Sequence, residues 1–243
     1  MSGHRFYVGE TLTSVAAGDE VEIHGAPAHR MVDVLRLRRG DGVLIFGAGR
    51  EFEAILLADG QRVRVRLLDE LPPHVCASPR LTVCQALIRS NRFEWLIEKG
   101  TELGVAAFVP VLTEHTAARV AEIGPARLER WRRIAVEATE QSGGRTPPAV
   151  AAPVRFEQAL ALAAPALVVA WERVRTPPQA AELARLRDAG RPGLSLFIGP
   201  EGGFSESEVA RAQQAGATLI GLGPRILRAE TAAIAAAALL LLG

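Results

Sequence analysis

Two Gly/Pro loops near the C-terminus, each directly after a short apolar run, constrain the fold of this chain more than any other feature. The first run, Leu194 to Ile198, ends in Gly199-Pro200-Glu201-Gly202-Gly203, and the second, Thr218 to Leu222, ends in Gly223-Pro224. Apolar runs of this length that stop at glycines are typical of buried strands that lead into tight loops. In an open α/β sheet such loops line the ligand crevice.

From position 81 onward, segments with strand-like and helix-like patterns alternate, which predicts a parallel α/β sheet. Further strands are expected at Leu81–Leu87, Phe108–Leu112 and Leu167–Trp171, and helices at 91–103, 128–141, 156–163 and 179–189. Ser205 with Glu208, and Asn91 with Glu94, have the spacing of capping boxes that begin helices. The apolar segment Ala232–Leu242 is expected to be a helix that is buried on all sides.

The first 70 residues read instead as short strands with one helix near Pro27–Leu35, which predicts a small β-barrel. The segment from Leu71 to Pro79 is rich in proline and predicts a stiff linker between domains. We therefore expect two domains, at 1–72 and 73–243.

Within the first domain, Gln61–Leu67 alternates strictly, so that Arg62, Arg64 and Arg66 share one strand face. This arginine stripe, together with Arg36, Arg38 and Arg39, is a candidate for contacts with RNA phosphates. A solvated strand face explains the stripe equally well. The net charge is only +1, so an RNA site must be a local patch.

The composition argues against several classes of protein. There are two cysteines, and they form no C-x-x-C motif, so neither a metal site nor a disulfide framework is expected. Such cysteine usage fits a cytoplasmic protein. The N-terminus lacks the apolar core of a signal peptide. The most apolar segment has about 11 residues, whereas a membrane span takes about 20.

Several motifs resemble a known family. The GPEGG loop after a strand, and LGPRILRAET before an Ala-rich helix, resemble the C-terminal half of the SPOUT-class RNA methyltransferases. Upstream, RSNRFEWLIEKGTELGV and EATEQSGGR are similar to motifs of the RsmE family, the 16S ribosomal RNA (uracil-N3) methyltransferases. With the β-rich segment before them, the resemblance covers nearly the whole chain.

The resemblance implies an α/β SPOUT domain with a parallel sheet and a deep trefoil knot at about 167–243, preceded by a PUA-like β-barrel that binds RNA. It implies an enzyme that methylates N3 of a specific uridine in 16S ribosomal RNA of the small subunit. The implied cofactor is S-adenosylmethionine, and no metal is implied.

Carried onto this chain, the resemblance implies a cofactor site in three loops. Its residues are Trp171 and Glu172; Ile198, Gly199, Pro200, Glu201 and Gly202; and Leu222, Gly223, Ile226 and Leu227. Backbone groups there could bind the adenine edge while apolar side chains cover its faces. For Glu201, contact with the cofactor and capping of backbone amides remain equal alternatives.

The LRxET pattern makes Arg228, with Glu230, the candidate catalytic pair. Arg228 would hold the target base or its phosphate and stabilise charge on the uracil oxygens. Alternatively, Arg228 and Glu230 form a salt bridge that fixes the start of the last helix. The sequence identifies no general base, because all histidines lie outside these motifs.

Three further arginines, Arg89, Arg92 and Arg145, lie in the family-like stretches and are expected to bind RNA. In the same stretch, Glu94, Glu98 and Glu102 are spaced four apart on one helix face. Such a row suits either a metal or acid/base site, or an exposed face with its own salt bridges, and the second alternative is favoured.

The apolar last helix, together with the resemblance, predicts a homodimer. Two other functions remain open. One is methylation of a ribose 2′-oxygen by a SPOUT enzyme, and the other is RNA binding during ribosome assembly without catalysis.

Overall fold

The computed structural model describes residues 4–57, 62–72, 79–117 and 123–242. These residues form two compact units. The first contains the described residues before position 73 together with Thr139–Thr146, and the second contains the remainder.

The first unit is built on a five-stranded sheet in the order β1-β3-β4-β5-β2. Its strands are β1 (Arg5–Tyr7), β2 (Glu20–Ile23), β3 (Gly42–Gly47), β4 (Arg50–Leu56) and β5 (Val63–Glu70). Strands β1 and β3 are parallel, and the other neighbours are antiparallel. The expected helix is present as α1 (Gly25–His29), which continues into a π-helical turn at Arg30–Val34.

The hairpin between β3 and β4 shows how the sequence sets this sheet. Ala48 and Gly49 both have positive φ, 49° and 75°, as a tight two-residue hairpin turn requires. Alternate residues of the strands, such as Ile45, Phe52 and Val65, are fully buried and form the core of the unit. The β-rich character expected from the sequence is therefore confirmed.

The second unit has a seven-stranded sheet in the order β12-β10-β11-β6-β7-β8, with β9 also paired to β7. Its strands are β6 (Leu81–Ala86), β7 (Ala107–Leu112), β8 (Ala149–Val150), β9 (Val154–Arg155), β10 (Ala166–Ala170), β11 (Leu194–Ile198) and β12 (Thr218–Ile220). All pairings are parallel, which confirms the predicted α/β fold. Every residue of β11 is buried, as expected for a strand covered on both faces.

The helices connect these strands. They are α2 (Ser90–Leu103), α3 (Pro125–Ser142), α4 (Phe156–Ala161), α5 (Ala180–Ala189), α6 (Glu206–Gln214) and α7 (Ala229–Leu241). Helix α2 packs closely on the sheet, because a Cβ at Gly100 would lie 2.7 Å from the Phe108 ring. Trp131 of α3 stacks on Phe93 of α2 with ring centroids 4.3 Å apart.

One of the two predicted capping boxes is confirmed. The Glu208 N–H donates to Ser205 Oγ (3.2 Å), and the Ser205 N–H donates to Glu208 Oε2 (2.9 Å). The box at Asn91 and Glu94 is wrong, because α2 begins one residue earlier, at Ser90, with Arg89 as its N-cap. The Ser90 hydroxyl instead donates to the Glu94 carboxylate (3.1 Å).

Within a single chain, the last helix is not covered on all sides. Ala233, Ala236 and Leu240 of α7 are completely covered, but Leu239 is half-buried and Leu242, just after the helix, is 68% exposed. An apolar composition alone does not determine how much of a helix its own sheet can cover. In the described ranges, no helix combines the length and apolar character needed to cross a membrane.

Candidate active site

A cleft lies at the carboxyl ends of the neighbouring strands β10 and β11 and beside the segment after β12. Its volume is about 520 Å³, including space that is continuous with the solvent. It is lined by Ala170, Trp171, Glu172, Val174, Ile198, Gly199, Leu222, Gly223, Arg225, Ile226, Leu227, Ala229 and Ala232. This edge of a parallel sheet is where such folds bind ligands.

Most of the residues expected at the cofactor site line this cleft. They are Trp171, Glu172, Ile198, Gly199, Leu222, Gly223, Ile226 and Leu227. Pro200, Glu201 and Gly202 do not line it, because the Gly203 N–H donates to the Pro200 carbonyl (2.9 Å) and closes a turn after Gly199. The sequence did not predict four apolar lining residues, since small apolar side chains carry no chemical signal; they are Ala170, Val174, Ala229 and Ala232.

Close backbone contacts hold the cleft walls together. A Cβ at Gly221 would lie 2.0 Å from the Val174 carbonyl oxygen, so only glycine fits there. The Trp171 N–H donates to the Ile220 carbonyl (3.0 Å), which joins the segment after β10 to the end of β12. These two contacts fix two of the three cleft walls relative to each other.

Polar groups and apolar side chains both line the cleft. The Trp171 indole N–H is buried and has no hydrogen-bond partner among the described residues. The Arg173 guanidinium lies over the Trp171 ring, 5.3 Å from its centroid. The Glu172 carboxylate lies against Gly203, with Oε1 2.7 Å from the position of a Cβ there. A cleft that combines apolar surface with a small number of placed polar groups is typical of small-molecule sites.

Arg92 links the loop after β11 to the first turn of α7 beside the cleft. Its Nη1 contacts Glu201 Oε1 at 3.2 Å, and its Nε lies 3.6 Å from Glu230 Oε1. Glu230 is 8% exposed, so the charge of Arg92 compensates a buried carboxylate. The alternative salt bridge between Arg228 and Glu230 is absent from the described residues, where the ion pair of Glu230 is with Arg92.

Arg228 is the N-cap residue of α7 and lies between the cleft residues Leu227 and Ala229. Its side chain is exposed and forms neither a hydrogen bond nor an ion pair within the described part of the chain. Arg89, the N-cap residue of α2, is likewise exposed without such a partner there. These two guanidinium groups are therefore available to an anionic ligand.

The loop after β7 contributes a histidine that the sequence did not predict. His115 Nδ1 lies 3.1 Å from the Gly202 carbonyl and 3.2 Å from the Gly203 carbonyl. Because carbonyl oxygens only accept hydrogen bonds, Nδ1 carries the proton. The adjacent Glu114 N–H donates to Glu208 Oε1 (2.9 Å), so the loop is fixed to the capping box of α6. These partners are distant in sequence, and no local pattern signalled them.

Four of the arginines predicted to bind RNA, Arg62, Arg64, Arg66 and Arg145, lie in the first unit and are engaged in ion pairs. Arg64 and Arg66 contact Glu20 of the neighbouring strand at 3.2 Å and 2.8 Å, and Arg62 lies 4.0 Å from Glu22. Arg145 Nε donates to Glu51 Oε2 at 2.8 Å, and its side chain is only 10% exposed. Each of these four guanidinium groups thus lies within 4.0 Å of a carboxylate, and Arg64 and Arg66 share Glu20.

The glutamates of α2, Glu94, Glu98 and Glu102, form salt bridges. This agrees with the alternative favoured from the sequence, an exposed helix face with its own salt bridges. Arg130 donates two hydrogen bonds of 2.9 Å to Glu94 and thereby lowers the pKa of that carboxyl. Lys99 Nζ lies 2.8 Å from both Glu98 and Glu102. Over the described ranges, no group of three or more His, Cys, Asp or Glu side chains is placed to hold a metal ion.

Comparison with known proteins gives consistent matches. The family model for the RNA methyltransferase domain matches residues 76–241. The ribosomal RNA small subunit methyltransferase E of Mycobacterium bovis is 34% identical over 250 residues, covering 95% of this chain and 88% of the relative. The protein of the same name from Bacillus subtilis is 29% identical over 238 residues, with 94% and 92% covered.

Solved structures agree with these matches. The ribosomal RNA small subunit methyltransferase E from Neisseria gonorrhoeae, bound to S-adenosyl methionine, superimposes with a TM-score of 0.81 at 31% identity. The match covers 97% of this chain and 95% of that one. A methyltransferase from Legionella pneumophila in complex with the cofactor SAM gives a TM-score of 0.78 at 28% identity, with 97% and 96% covered.

Proposed function

The chain belongs to the ribosomal RNA small subunit methyltransferase E family, and on that premise we propose that it methylates N3 of a uridine in 16S ribosomal RNA. The methyl donor is S-adenosylmethionine. The observation that carries the proposal is the cleft at the ends of β10 and β11, in a chain similar along almost its whole length to a methyltransferase structure that contains this molecule.

The cleft suits the cofactor chemically. Leu222, Ile226 and Leu227 offer apolar surface for a flat ring, and the glycine backbones permit close approach. The unpartnered Trp171 indole N–H and the Glu172 carboxylate are a donor and an acceptor at the same cleft. When bound, the cofactor supplies a methyl group on a positively charged sulfur, which is already electrophilic.

The protein then has to position the uracil and stabilise the negative charge that develops as N3 loses its proton. Arg228 suits this role because it is exposed, adjoins two cleft residues and has no partner among the described residues. We assign Glu230 to positioning rather than to proton transfer. Its carboxylate is buried and ion-paired with Arg92, which fixes the first turn of α7 and with it the N-cap residue Arg228.

We further propose the finer fold assignments that the resemblance implies. The first unit is a PUA-like barrel that binds RNA, and the segment at about 167–243 is a trefoil knot. The knot is proposed from the resemblance, since the placement of β11 and β12 on opposite sides of β10 is also found in unknotted doubly wound sheets. Arg89 is a further RNA contact, since its side chain is exposed and unpartnered in the described ranges.

The protein is also proposed to be a homodimer. An apolar groove beside α7 is lined by Pro177, Leu222, Ala235, Ala238, Leu239 and Leu242. Leu222 lines both this groove and the cleft, so a second copy seated there would adjoin the cofactor site.

Since 16S ribosomal RNA is made and assembled in the bacterial cytoplasm, we expect the enzyme to act there.

Nucleoside mapping tests the proposed function. The full chain is incubated with S-adenosylmethionine and either naked 16S ribosomal RNA or small subunits, and the RNA is digested and analysed by mass spectrometry. We expect 3-methyluridine with at least one of the two substrates. A 2′-O-methylated nucleoside would reassign the reaction, and cofactor binding by calorimetry without any methylation would contradict the proposal.

A further inference from the structure

We propose that the loop Arg36–Arg39 of the first unit, rather than the arginine stripe of β5, is the surface that binds the phosphates of the RNA substrate. The inference rests on the proposed function, because RNA is the partner it names. It follows from a difference between two sets of three arginines in the same unit: Arg36, Arg38 and Arg39, and Arg62, Arg64 and Arg66.

The arginines of the loop point outward because the two leucines on either side of Arg36 are anchored in the core. Leu35 and Leu37 pack against the core of the first unit and are partly buried. Arg36, Arg38 and Arg39 are all exposed. Within the described part of the chain, none of their guanidinium groups has an ion pair or a hydrogen bond. Three cationic groups are thus presented together within four residues without internal compensation.

The backbone of the loop is fixed in place. The Leu35 N–H donates to the Arg30 carbonyl, the Leu37 N–H to the Met31 carbonyl and the Gly40 N–H to the Leu56 carbonyl, each at 2.9 Å. The Asp41 carboxylate accepts the Arg38 N–H at 2.7 Å. Because the loop is already ordered, binding would immobilise the arginine side chains without ordering the backbone.

Arg36 has a backbone conformation that is unusual for arginine. Its φ is 54°, in the left-handed region that glycine and asparagine adopt at lower cost. This conformation ends the helical turn at Arg30–Val34 and allows the Leu37 N–H to donate to the Met31 carbonyl.

The guanidinium groups of the arginine stripe, in contrast, already have carboxylate partners. Arg64 and Arg66 are bound to Glu20, and Arg62 lies near Glu22, so phosphate contacts there would compete with carboxylates that also repel the RNA. Of the acidic groups flanking the loop, Asp33 is paired with His29, and Asp41 binds the Arg38 backbone N–H and not a guanidinium group. Arginine's planar guanidinium suits bidentate contacts with phosphate oxygens.

Two matched variants of the full chain test the inference. One carries Arg36→Gln, Arg38→Gln and Arg39→Gln, and the other carries Arg62→Gln, Arg64→Gln and Arg66→Gln. Each lowers the net charge of +1 by the same amount, so non-specific electrostatics change equally. The affinity for naked 16S ribosomal RNA is measured over a series of salt concentrations.

Each lost phosphate contact lowers the slope of log affinity against log salt by about 0.7 to 0.9. We expect the slope of the loop variant to fall by about two, and that of the stripe variant to fall by less than half as much. Equal losses in the two variants, or a larger loss in the stripe variant, would overturn the inference. If the triple loop variant does not fold, the double variant Arg38→Gln, Arg39→Gln replaces it. Its slope of log affinity against log salt is expected to fall by at least about one.

The failure of this inference can be distinguished from that of the proposed function. If wild type methylates 16S ribosomal RNA but the loop variant keeps the full salt slope, only the inference fails. If wild type neither binds nor methylates the RNA, the proposed function fails. If the loop variant binds assembled subunits weakly but naked RNA normally, the loop contacts a ribosomal protein, and the assignment to RNA is overturned.

Discussion

Arg92 Nη1 lies 3.2 Å from Glu201 Oε1, which joins helix α2 to the loop after β11 across 109 positions of sequence. The same guanidinium reaches the buried Glu230 at the start of α7. The loop after β11 and the first turn of α7, which both adjoin cleft residues, are therefore joined by a residue that does not line the cleft.

Replacing this guanidinium should weaken cofactor binding. For Arg92→Met, we expect the dissociation constant for S-adenosylmethionine to rise by about tenfold, because the buried Glu230 loses its counter-charge. Calorimetry measures it, with Arg133→Met on the surface of α3 as the control. A double-mutant cycle with Glu201→Gln should show a coupling of about 0.5 kcal/mol or more. Additive effects of the two substitutions would show that the contact with Glu201 carries no energy.

Gly221 should tolerate no side chain. Its Cβ would meet the Val174 carbonyl oxygen at 2.0 Å, so Gly221→Ala must displace a cleft wall. We expect this variant to lose measurable cofactor binding and to have a lower melting temperature. Gly124→Ala is the matched control, since its Cβ would have no neighbour within 4 Å. An unchanged affinity in a folded Gly221→Ala protein would show that this wall does not form the site.

Replacing Arg228 should lower turnover more than it weakens cofactor binding. In Arg228→Gln, we expect kcat to fall by about 10²-fold, because a charge-stabilising donor is lost from the transition state. The affinity for S-adenosylmethionine should stay within about twofold. Transfer of labelled methyl groups to 16S ribosomal RNA measures turnover, and Arg185→Gln on α5 is the control. Turnover within a few-fold of wild type would remove Arg228 from the catalytic machinery.

The groove beside α7 gives a specific test of dimerisation. Leu242 is 68% exposed and lines the groove, so Leu242→Glu should dissociate the dimer without unfolding the subunit. Leu240 is completely buried, and Leu240→Glu should unfold the chain instead. Light scattering at micromolar concentration, combined with thermal melting, separates these effects. A monomeric and fully active wild type would contradict the proposed homodimer.

The pair of Glu94 and Arg130 should make stability depend on pH. The pKa of Glu94 is lowered in the folded state, first by its hydrogen bonds from Arg130. Its contribution is therefore present above the unfolded pKa of about 4.3 and is lost as pH falls through the folded value. Wild type should melt at a higher temperature than Glu94→Gln at pH 7, and the difference should shrink towards pH 3. A difference that does not change with pH would contradict this.

The strands and the capping box of α6 could be predicted because their signals are local. Leu194–Ile198 agrees with β11 residue for residue, and Ser205 and Glu208 lie three residues apart. Most of the cleft could be predicted as well, because its residues follow directly after strands.

Long-range pairing could not be predicted from the same patterns. Arg66 meets Glu20 across 46 positions, so a strand face that reads as cationic is partly neutralised by its neighbour. Arg92 is predicted from the sequence as an RNA contact, and the pattern gave no sign that it lies between two carboxylates. His115 contacts the loop after β11 only because the fold places the loop after β7 beside it. In each case the partner depends on which strands and loops become neighbours.

The ion pairs of Glu51 determine when, during translation, the first unit can form all of its stabilising contacts. Glu51 is 3% exposed and lies between Arg5 and Arg145, which follows it by 94 positions. At about 5 to 20 residues per second, Arg145 leaves the ribosome roughly 5 to 20 seconds after Glu51. Until then, the nascent first unit has only one of the two guanidinium groups that neutralise this carboxylate. Its final stabilisation therefore waits for residues translated well after its own last strand.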